Sequence, residues 1–399
     1  MKVLVNTRCV PDDRKTLSVV RSLGRRGADV FVAGEGFRGQ AFRSRHVRGR
    51  YRLPASTEDA RAYWEALERL LATERFDVVI PTYVETTEPL SCHRGSLEQT
   101  VGLAVPEENS LRTAMDKWLT LRLAEELGIR TPRTRCPGTS EELDRAAAEL
   151  AYPVVVKPRE GTGAIGLWYA DSARALLDGW HAGEEPAAFG RTLIQECAEG
   201  PIHDACLLCR HGEPRACLTQ KRLITYPATG GIGVLNETTR EPDLMEAASA
   251  LLRKLGWHGP AQVEFKRNPS TGEPVLMEIN GRLWGTLDLA VQAGIDFPWL
   301  LYEMAVRGDI AIQTEYTVGL RYRWPLPYGF LHAYETRRVA ESLRVFFGPA
   351  RSTRSDLCWD DPLPAVAEGL WTLRRMWLRR SMMPERAKQT RIRRAVRPA

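Results

Sequence analysis

Residues 157–170 read KPREGTGAIGLWYA, and Gly161, Gly163 and Gly166 inside them spell G-x-G-x-x-G. In a dinucleotide site that spacing follows a strand and opens a long helix, on whose N-terminus a pyrophosphate rests. Here the flanks differ. The run YPVVV (152–156) is strand-like but is closed by Lys157-Pro158, and Leu167-Trp168-Tyr169-Ala170 after the loop is another strand-like run. A helical stretch, DSARALLDGW, begins only at Asp171. The loop therefore joins two strands, with a lysine at its mouth. Glycines in such a loop let main-chain N–H groups surround phosphate oxygens without any helix. The dinucleotide reading falls, and the rest of the chain decides what the loop serves.

A second stretch, AQVEFKRNPSTGEPVLMEINGR (261–282), reads as a hairpin turning at residues 269–272. Glu264 lies on its first strand, and Glu278 and Asn280 lie on the second. Residues two apart on a strand point to one face, and the turn brings Glu264 back toward them. Two carboxylates and an amide oxygen are hard ligands that suit Mg²⁺, with phosphate oxygens and water completing the shell. Arg282 adds a guanidinium on the same side. A glycine loop, a lysine, carboxylates and an arginine together read as a nucleoside triphosphate site. Taken alone, the hairpin leaves open a blander alternative, cross-strand salt bridging on a wet face.

In chain order the sequence shows DKW with Lys117, VVVKP with Lys157, EGTGAIG, and IQE with Glu196. KRLITYPATGGIG with Gly230 and Gly231 follows, then VEF with Glu264 and MEINGR with Glu278, Asn280 and Arg282. This ordered series resembles the ATP-grasp superfamily, in the branch containing biotin carboxylase and carbamoyl phosphate synthetase. The resemblance covers roughly residues 110–309, and the start of the chain is similar to that family's pre-ATP-grasp domain. It implies that the strand–glycine loop–strand unit is a lid over ATP phosphates, which also keeps water from an activated intermediate. Lys117 and Lys157 would contact those phosphates, with Gly161, Thr162, Gly163 and Gly166 in the loop around them. Gln195, Glu196, Cys197 and Ala198 would form the hinge, where Glu196 and neighbouring backbone meet the adenine. Glu264, Glu278 and Asn280 would bind Mg²⁺ or Mn²⁺. Arg282, with Lys157, would stabilise charge on the transferring phosphoryl group. The sequence has Asn280-Gly281-Arg282 where N-P-R is commoner, and Trp284 just after it has no assigned role beyond core.

The activity this implies is an ATP-dependent, ADP-forming carboxylate–amine ligase working through an acyl phosphate. The substrates would be a small carboxylic acid and an amine. Lys221 and Arg222, before the Gly230-Gly231 turn, are placed to clamp a substrate carboxylate or phosphate. Glu85, at a strand end in the first domain, would orient the amine or simply cap the next helix. Two alternatives stand beside this: a biotin carboxylase-like enzyme activating bicarbonate, and a non-catalytic ATP-binding module. Many members of the superfamily are dimers, which leaves a homodimer open.

Around these motifs the chain alternates strand and helix over its first hundred residues. KVLVN, ADVFVAG and FDVVIPT read as strands, and the Val101-Gly102-Leu103-Ala104-Val105 run as a further one. Helical patterns fall at residues 15–23 and 58–71. This is the pattern of a doubly wound parallel sheet, with ligands beyond the carboxyl ends of its strands, near PTYVE (81–85). The fold class expected is α/β and α+β: a Rossmann-like pre-ATP-grasp domain over residues 1–110, then an ATP-grasp domain over 111–312 with a lid at about 146–196. Residues 313–399 form a C-terminal extension with a basic tail.

Composition bounds the rest. Hydrophobic residues make up 43% and charged residues 27%, an ordinary soluble mixture. No apolar run approaches the roughly 18 residues of a membrane span, and the apolar stretch at residues 3–5 is too short for a signal peptide, so a cytoplasmic protein is expected. Eight scattered cysteines make no disulfide framework. In HDACLLCRH, with His203, Cys206, Cys209 and His211, odd spacing on a strand puts the two cysteines on opposite faces, which favours buried thiols over zinc. The net charge is +6, yet residues 372–399 hold ten Lys and Arg against one Glu. The tail reads as solvated, and arginines 374, 375, 379 and 380 run most of the way round a helical wheel, a poor amphipathic membrane helix. The six arginines of residues 38–52 read as an exposed loop. Neither segment carries a nucleic-acid-binding motif.

Overall fold

The computed structural model describes residues 1–8, 10, 13–161, 166–182, 189–227, 231–336 and 353–379. The chain divides into two compact units. The first is built from Met1–Arg112, His203–Val263 and Asn280–Arg374, and the second from Thr113–Ile202, Glu264–Ile279 and, among the described residues that follow, 375–379.

In the first unit, β1 (Lys2–Asn6), β2 (Asp29–Gly34), β3 (Val47–Arg52) and β4 (Val78–Pro81) form a parallel sheet in the order β3-β2-β1-β4. Val3, Leu4 and Val5 are all fully buried, as expected of a parallel strand covered on both faces. The pleat divides them. Val3 and Val5 join the core that includes Leu17, Val20 and Leu23 of the helix Arg14–Arg25. Leu4 joins a second core with Tyr63, Leu67 and Leu71 of the helix Ala60–Glu74. This is the doubly wound sheet that strand–helix alternation predicts. Leu67 has no exposed surface, so Leu67→Ala should cost about 2–5 kcal/mol, through lost transfer free energy plus a cavity. Chemical denaturation measures it as a fall in the midpoint with the slope unchanged.

Two local expectations need correction. The run 101–105 makes no strand of its own. Gly102 forms a single parallel bridge to Val78, its N–H donating to Asp77 O and its carbonyl accepting from Val79 N. Pro106, which has no N–H, then ends the run. Residues 38–52 are also more than a loop. They contain a 3₁₀ turn at Gln40–Arg43 and strand β3, in which Val47, Gly49 and Tyr51 are partly covered and Arg48, Arg50 and Arg52 are exposed. Period-two alternation absorbed the arginines into an edge strand.

The second unit holds β5 (Thr134–Arg135), β6 (Val154–Pro158), β7 (Trp168–Ala170) and β8 (Thr192–Glu196), an antiparallel sheet in the order β5-β8-β6-β7. Val154, Val156 and Ile194 pack with Leu143 and Ala147 of the helix Ser140–Glu149 and with Leu176 and Trp180 of the helix Ala173–His181. Alternation then turns Lys157 and Gln195 to the other face.

The remaining strands are β9 (Ile202–Arg210), β10 (Glu213–Tyr226), β11 (Ile232–Thr239), β12 (Gly259–Arg267), β13 (Pro274–Asn280), β14 (Arg321–Arg323) and β15 (Thr353–Ser355). Their sheet order is β13-β12-β9-β10-β11-β14-β15. A two-residue turn joins β9 to β10, with His211 at φ 46° and Gly212 at φ 89°. Two successive positive φ values match the right-handed twist of a hairpin. Cys206 and Cys209 are buried strand residues, and burial pushes the Cys209 thiol up to about 12. In the β12–β13 turn, Asn268 Oδ1 accepts from Ser270 N (2.8 Å) and Thr271 N (3.1 Å), and Gly272 takes φ 72°. Trp284 is fully buried and meets Phe297 edge-on at 4.9 Å, so it belongs to the core.

Candidate active site

Thr162, Gly163 and Gly230 lie outside the described residues. Of the other predicted site residues, Lys117, Lys157, Gly161, Gly166, Gln195, Glu196, Cys197, Ala198, Glu264 and Glu278 belong to the second unit. Glu85, Lys221, Arg222, Gly231, Asn280 and Arg282 belong to the first.

Lys117 opens the helix Lys117–Glu126, which exists because Asp116 caps it, accepting from Trp118 N at 2.9 Å. Asp116 is nearly buried and also takes the Arg159 guanidinium in an ion pair, while Lys117 N donates to Arg159 O at 3.0 Å. The start of this helix is thus tied to the chain just after Lys157-Pro158. Lys117 Nζ donates to Gly161 O at 2.7 Å and lies 3.9 Å from Glu278 Oε2. Gly161 has φ 115° and Gly166 φ 72°, conformations that side chains rarely adopt. The two described ends of the loop therefore need glycine.

Lys157 is held by a relay. Its Nζ donates to Gln195 Oε1 (2.7 Å), Gln195 Nε2 donates to Thr134 Oγ1 (2.8 Å), and Thr134 Oγ1 donates to Pro132 O (2.7 Å). Gln195 is fully buried. Burial lowers the Lys157 ammonium to about 8, while the negative charges of Glu278 and Glu264 oppose that fall and Lys117 and Lys266 add to it. Two carboxylates and three ammonium groups thus act on one another within this unit. Among the described residues, no three His, Cys, Asp or Glu side chains gather into a metal cage. Two carboxylates with neighbouring cations instead suit an ion that arrives with phosphate oxygens.

The hinge is engaged within the protein by one side chain and two main-chain groups. Glu196 Oε1 accepts from Ala151 N at 2.9 Å, Cys197 N donates to Pro153 O at 3.1 Å, and Ala198 O accepts from Lys266 Nζ at 2.7 Å. Lys266 was not singled out in the sequence. Its signal is its place two residues after Glu264 on β12, hence on the same face. Arg159 was missed too, because its role depends on Asp116, which is distant in sequence.

In the first unit Arg282 donates to Asn280 Oδ1 (3.1 Å) and to Leu283 O (2.9 Å). Between them, a side chain on Gly281 would come within 2.7 Å of the Trp257 ring and 2.8 Å of Leu111. That crowding accounts for glycine where N-P-R is commoner. Lys221 and Arg222 face opposite sides of β10. Lys221 pairs with Glu237 (2.9 Å), and Arg222 pairs with fully buried Asp204 (2.7 Å) and donates to Gly231 O (2.8 Å). The two do not form one clamp. Glu85 sits in the first turn of the helix Val84–Cys92, where the helix dipole favours an anion. It accepts from Arg8 Nη1 at 2.5 Å, and Arg8 Nε lies 3.7 Å from Glu35. These charged groups sit just beyond the carboxyl ends of β1, β2 and β4, where doubly wound sheets bind ligands.

Comparison with known proteins agrees with this architecture. The family model described as "ATP-grasp in the biosynthetic pathway with Ter operon" matches residues 206–325. The carbamoyl phosphate synthase large chain of Xanthomonas campestris is 27% identical over 251 residues, 58% of this chain and 23% of that one. The chain thus spans less than a quarter of that relative's length. Its fold is similar to the biotin carboxylase domain of Hydrogenobacter thermophilus 2-oxoglutarate carboxylase, solved with MgADP, ADP and bicarbonate. The TM-score is 0.63 at 17% identity, covering 80% of this chain and 73% of that one. It is also similar to L-amino acid ligase from Bacillus licheniformis, with TM-score 0.59 at 17% identity, covering 77% and 74%. The family model thus marks an ATP-grasp region within residues 206–325, and the likeness to these solved structures shows the fold.

Proposed function

We propose that this chain is an ADP-forming ligase that activates a carboxylate as its acyl phosphate and couples it to an amine. The observation that carries the reading is the gathering, within the second unit, of Lys117, Lys157, Glu264 and Glu278, with Lys117 on the Gly161 carbonyl. A mere nucleotide-binding module has no need of that mixture of phosphate-binding cations and hard metal ligands. The donor set fits Mg-ATP, or Mn-ATP: ammonium groups for phosphates, and oxygen ligands too few for a complete protein cage.

Lys117 and Lys157 hold the phosphates, with the main chain of Gly161, Thr162, Gly163 and Gly166 around them. The hinge at residues 195–198 meets the adenine. Glu264, Glu278 and Asn280 hold the metal, whose chemistry is to spread charge over phosphoryl oxygens. Arg282 and Lys157 offset the charge that builds as a substrate carboxylate oxygen attacks the γ-phosphorus and ADP leaves. The amine nitrogen then attacks the acyl carbon, phosphate departs, and the nitrogen gives up a proton. Glu85, beside Arg8, is placed to take the ammonium end of the amine. Arg222, which donates to Gly231 O, takes the acid in this reading, and Lys221 an anion on the opposite face. In functional terms residues 1–110 are the pre-ATP-grasp part, 111–312 the ATP-grasp part and 313–399 an extension.

The test is release of ADP and phosphate from Mg-ATP with pooled carboxylic acids and pooled amines. ADP release that requires one acid pool and one amine pool together is the expected result. AMP as product would overturn the proposal, and so would turnover with bicarbonate and biotin alone.

A further inference from the structure

Asn6, the last residue of β1, has no exposed surface, and its amide nitrogen donates to the Tyr63 hydroxyl at 2.6 Å. Its amide oxygen is buried too, and no donor among the described residues meets it. Glu35, the first residue after β2, repeats the pattern. Its Oε1 is buried without a hydrogen-bond partner, and Arg8 Nε lies 3.7 Å away, beyond hydrogen-bond reach. Burial, and after it the Glu35 charge, keep the Tyr63 hydroxyl protonated, so Glu35 acts on the same group of side chains as Asn6. Arg8 extends that group to Glu85 through its 2.5 Å hydrogen bond. The sheet order explains the place. The chain runs from β1 outward through β2 to β3, then returns to the other side of β1 for β4. The order therefore reverses between β1 and β4, and open parallel sheets bind ligands at such a reversal, beyond the carboxyl ends of the strands. Arg8 follows β1 and Glu85 follows β4, so their ion pair spans the reversal.

Within this group two carboxylates share one guanidinium, and two buried oxygen atoms lack donors. The fitting ligand brings several N–H or O–H donors and a positive charge. A hydroxyl brings one proton and no charge, and a carboxylate would meet like charge. A primary ammonium brings three N–H donors, no acceptor and the charge. We propose that this site holds the protonated nitrogen of an amine substrate carrying two basic nitrogens, a diamine or a basic amino acid. The proposal rests on the ligase reading above and sharpens it. An ammonium beside carboxylates keeps its proton. It then has no lone pair and cannot attack an acyl phosphate. The second nitrogen, neutral, attacks the acyl carbon. Phosphate leaves with the bonding pair of the broken C–O bond, and the attacking nitrogen gives up a proton. The held ammonium is unchanged throughout. Asn6 and Glu35 thus select the substrate by its far end, and Glu85 shares the ammonium with them.

The experiment has two arms, both on the full chain at neutral pH. In the first, calorimetry without ATP compares putrescine, cadaverine and L-lysine with butylamine and pentylamine, and with butanol and pentanol. The amines should bind about tenfold or more tighter than the alcohols, as expected for a charge-assisted hydrogen bond. E35Q should remove that preference and keep the melting temperature, because a partly exposed carboxylate adds little to folding. Alcohols binding as well as amines would overturn the proposal. So would an E35Q protein that melts lower but keeps the preference, since Glu35 would then only brace Arg8. In the second arm, ADP release is measured with Mg-ATP and pooled carboxylic acids. At least one of the two-nitrogen amines should support turnover, and butylamine and pentylamine should bind without supporting it. Turnover with the one-nitrogen amines as fast as with the others would overturn the claim of a second nitrogen. The two readings fail separately. ADP release that needs an amine, with no amine binding in the first arm, would overturn this site and leave the ligase. Amine binding that E35Q abolishes, with no ADP release from any acid pool, would leave this ammonium site and overturn the ligase.

Discussion

A Glu278→Gln protein should fold, keep its melting temperature within a few degrees, and lose at least a thousandfold of its ATP turnover. Glutamine keeps the size of glutamate and removes its charge. The carboxylate lies 3.9 Å from Lys117 Nζ and its field reaches Lys157, so it balances two cations as well as serving as the proposed metal ligand. A bound metal contributes several kcal/mol of charge stabilisation, and each 1.36 kcal/mol is a factor of ten, so about a thousandfold in kcat is the expected loss. The partly exposed carboxylate adds little to folding, because ion pairs of this kind contribute at most about 1 kcal/mol. Steady-state ADP release and a thermal melt on the same sample separate the two effects. Full activity in the folded variant would remove Glu278 from the site.

Lys157→Met should weaken Mg-ATP binding by roughly one to two orders of magnitude, as expected for loss of a charge-assisted contact to phosphate. It should also change the pH dependence. Burial holds the free ammonium at about 8, whereas a bound polyanion favours the charged form and raises that value. Above pH 8 the parent protein must therefore take up a proton to bind, and its affinity should fall as pH rises further. The methionine variant lacks that slope. Calorimetry in buffers of different ionisation enthalpy reads the proton directly. Stability moves the other way. With the folded value below the unfolded 10.5, the unfolded chain binds more protons between about pH 8 and 10.5, so parent stability rises across that window. The variant should melt higher than the parent near pH 7, and its advantage should shrink toward pH 10.5. An unchanged melting temperature at pH 7 would mean that Lys157 is not buried as a cation.

The parts of the site legible in the sequence were those written in local patterns. The short motifs DKW and VVVKP marked Lys117 and Lys157. Alternation placed Glu278 and Asn280 on one side of β13, and two strand-like runs around glycines marked the loop. The parts that were not legible depend on partners far apart in the chain. Nothing near Arg159 points to Asp116, and nothing near Lys157 says that Gln195 will hold it. Lys221 and Arg222 look like one pair in the sequence, but the pleat sends them to different carboxylates. The helix Leu363–Arg379 shows the same limit from the other side. Its apolar residues have the spacing of a core-facing stripe, yet Glu368 and Thr372 occupy the covered face. The run 101–105 failed as a strand because a neighbour on only one side and a proline after it allow one bridge and no ladder.

The relay that ends on Lys157 also bears on how the protein rests between encounters. Its acceptor, Gln195, is neutral. A carboxylate in that place would cancel the ammonium locally and would have to be prised off before another anion could take over. An amide fixes the lysine's direction and leaves only the fields of Glu278 and Glu264 to offset its charge. The folded chain thus carries an unfavourable charge in readiness, and the arrival of an anion relieves it. Part of the affinity for that anion is accordingly laid down when the protein folds, as instability of the empty state.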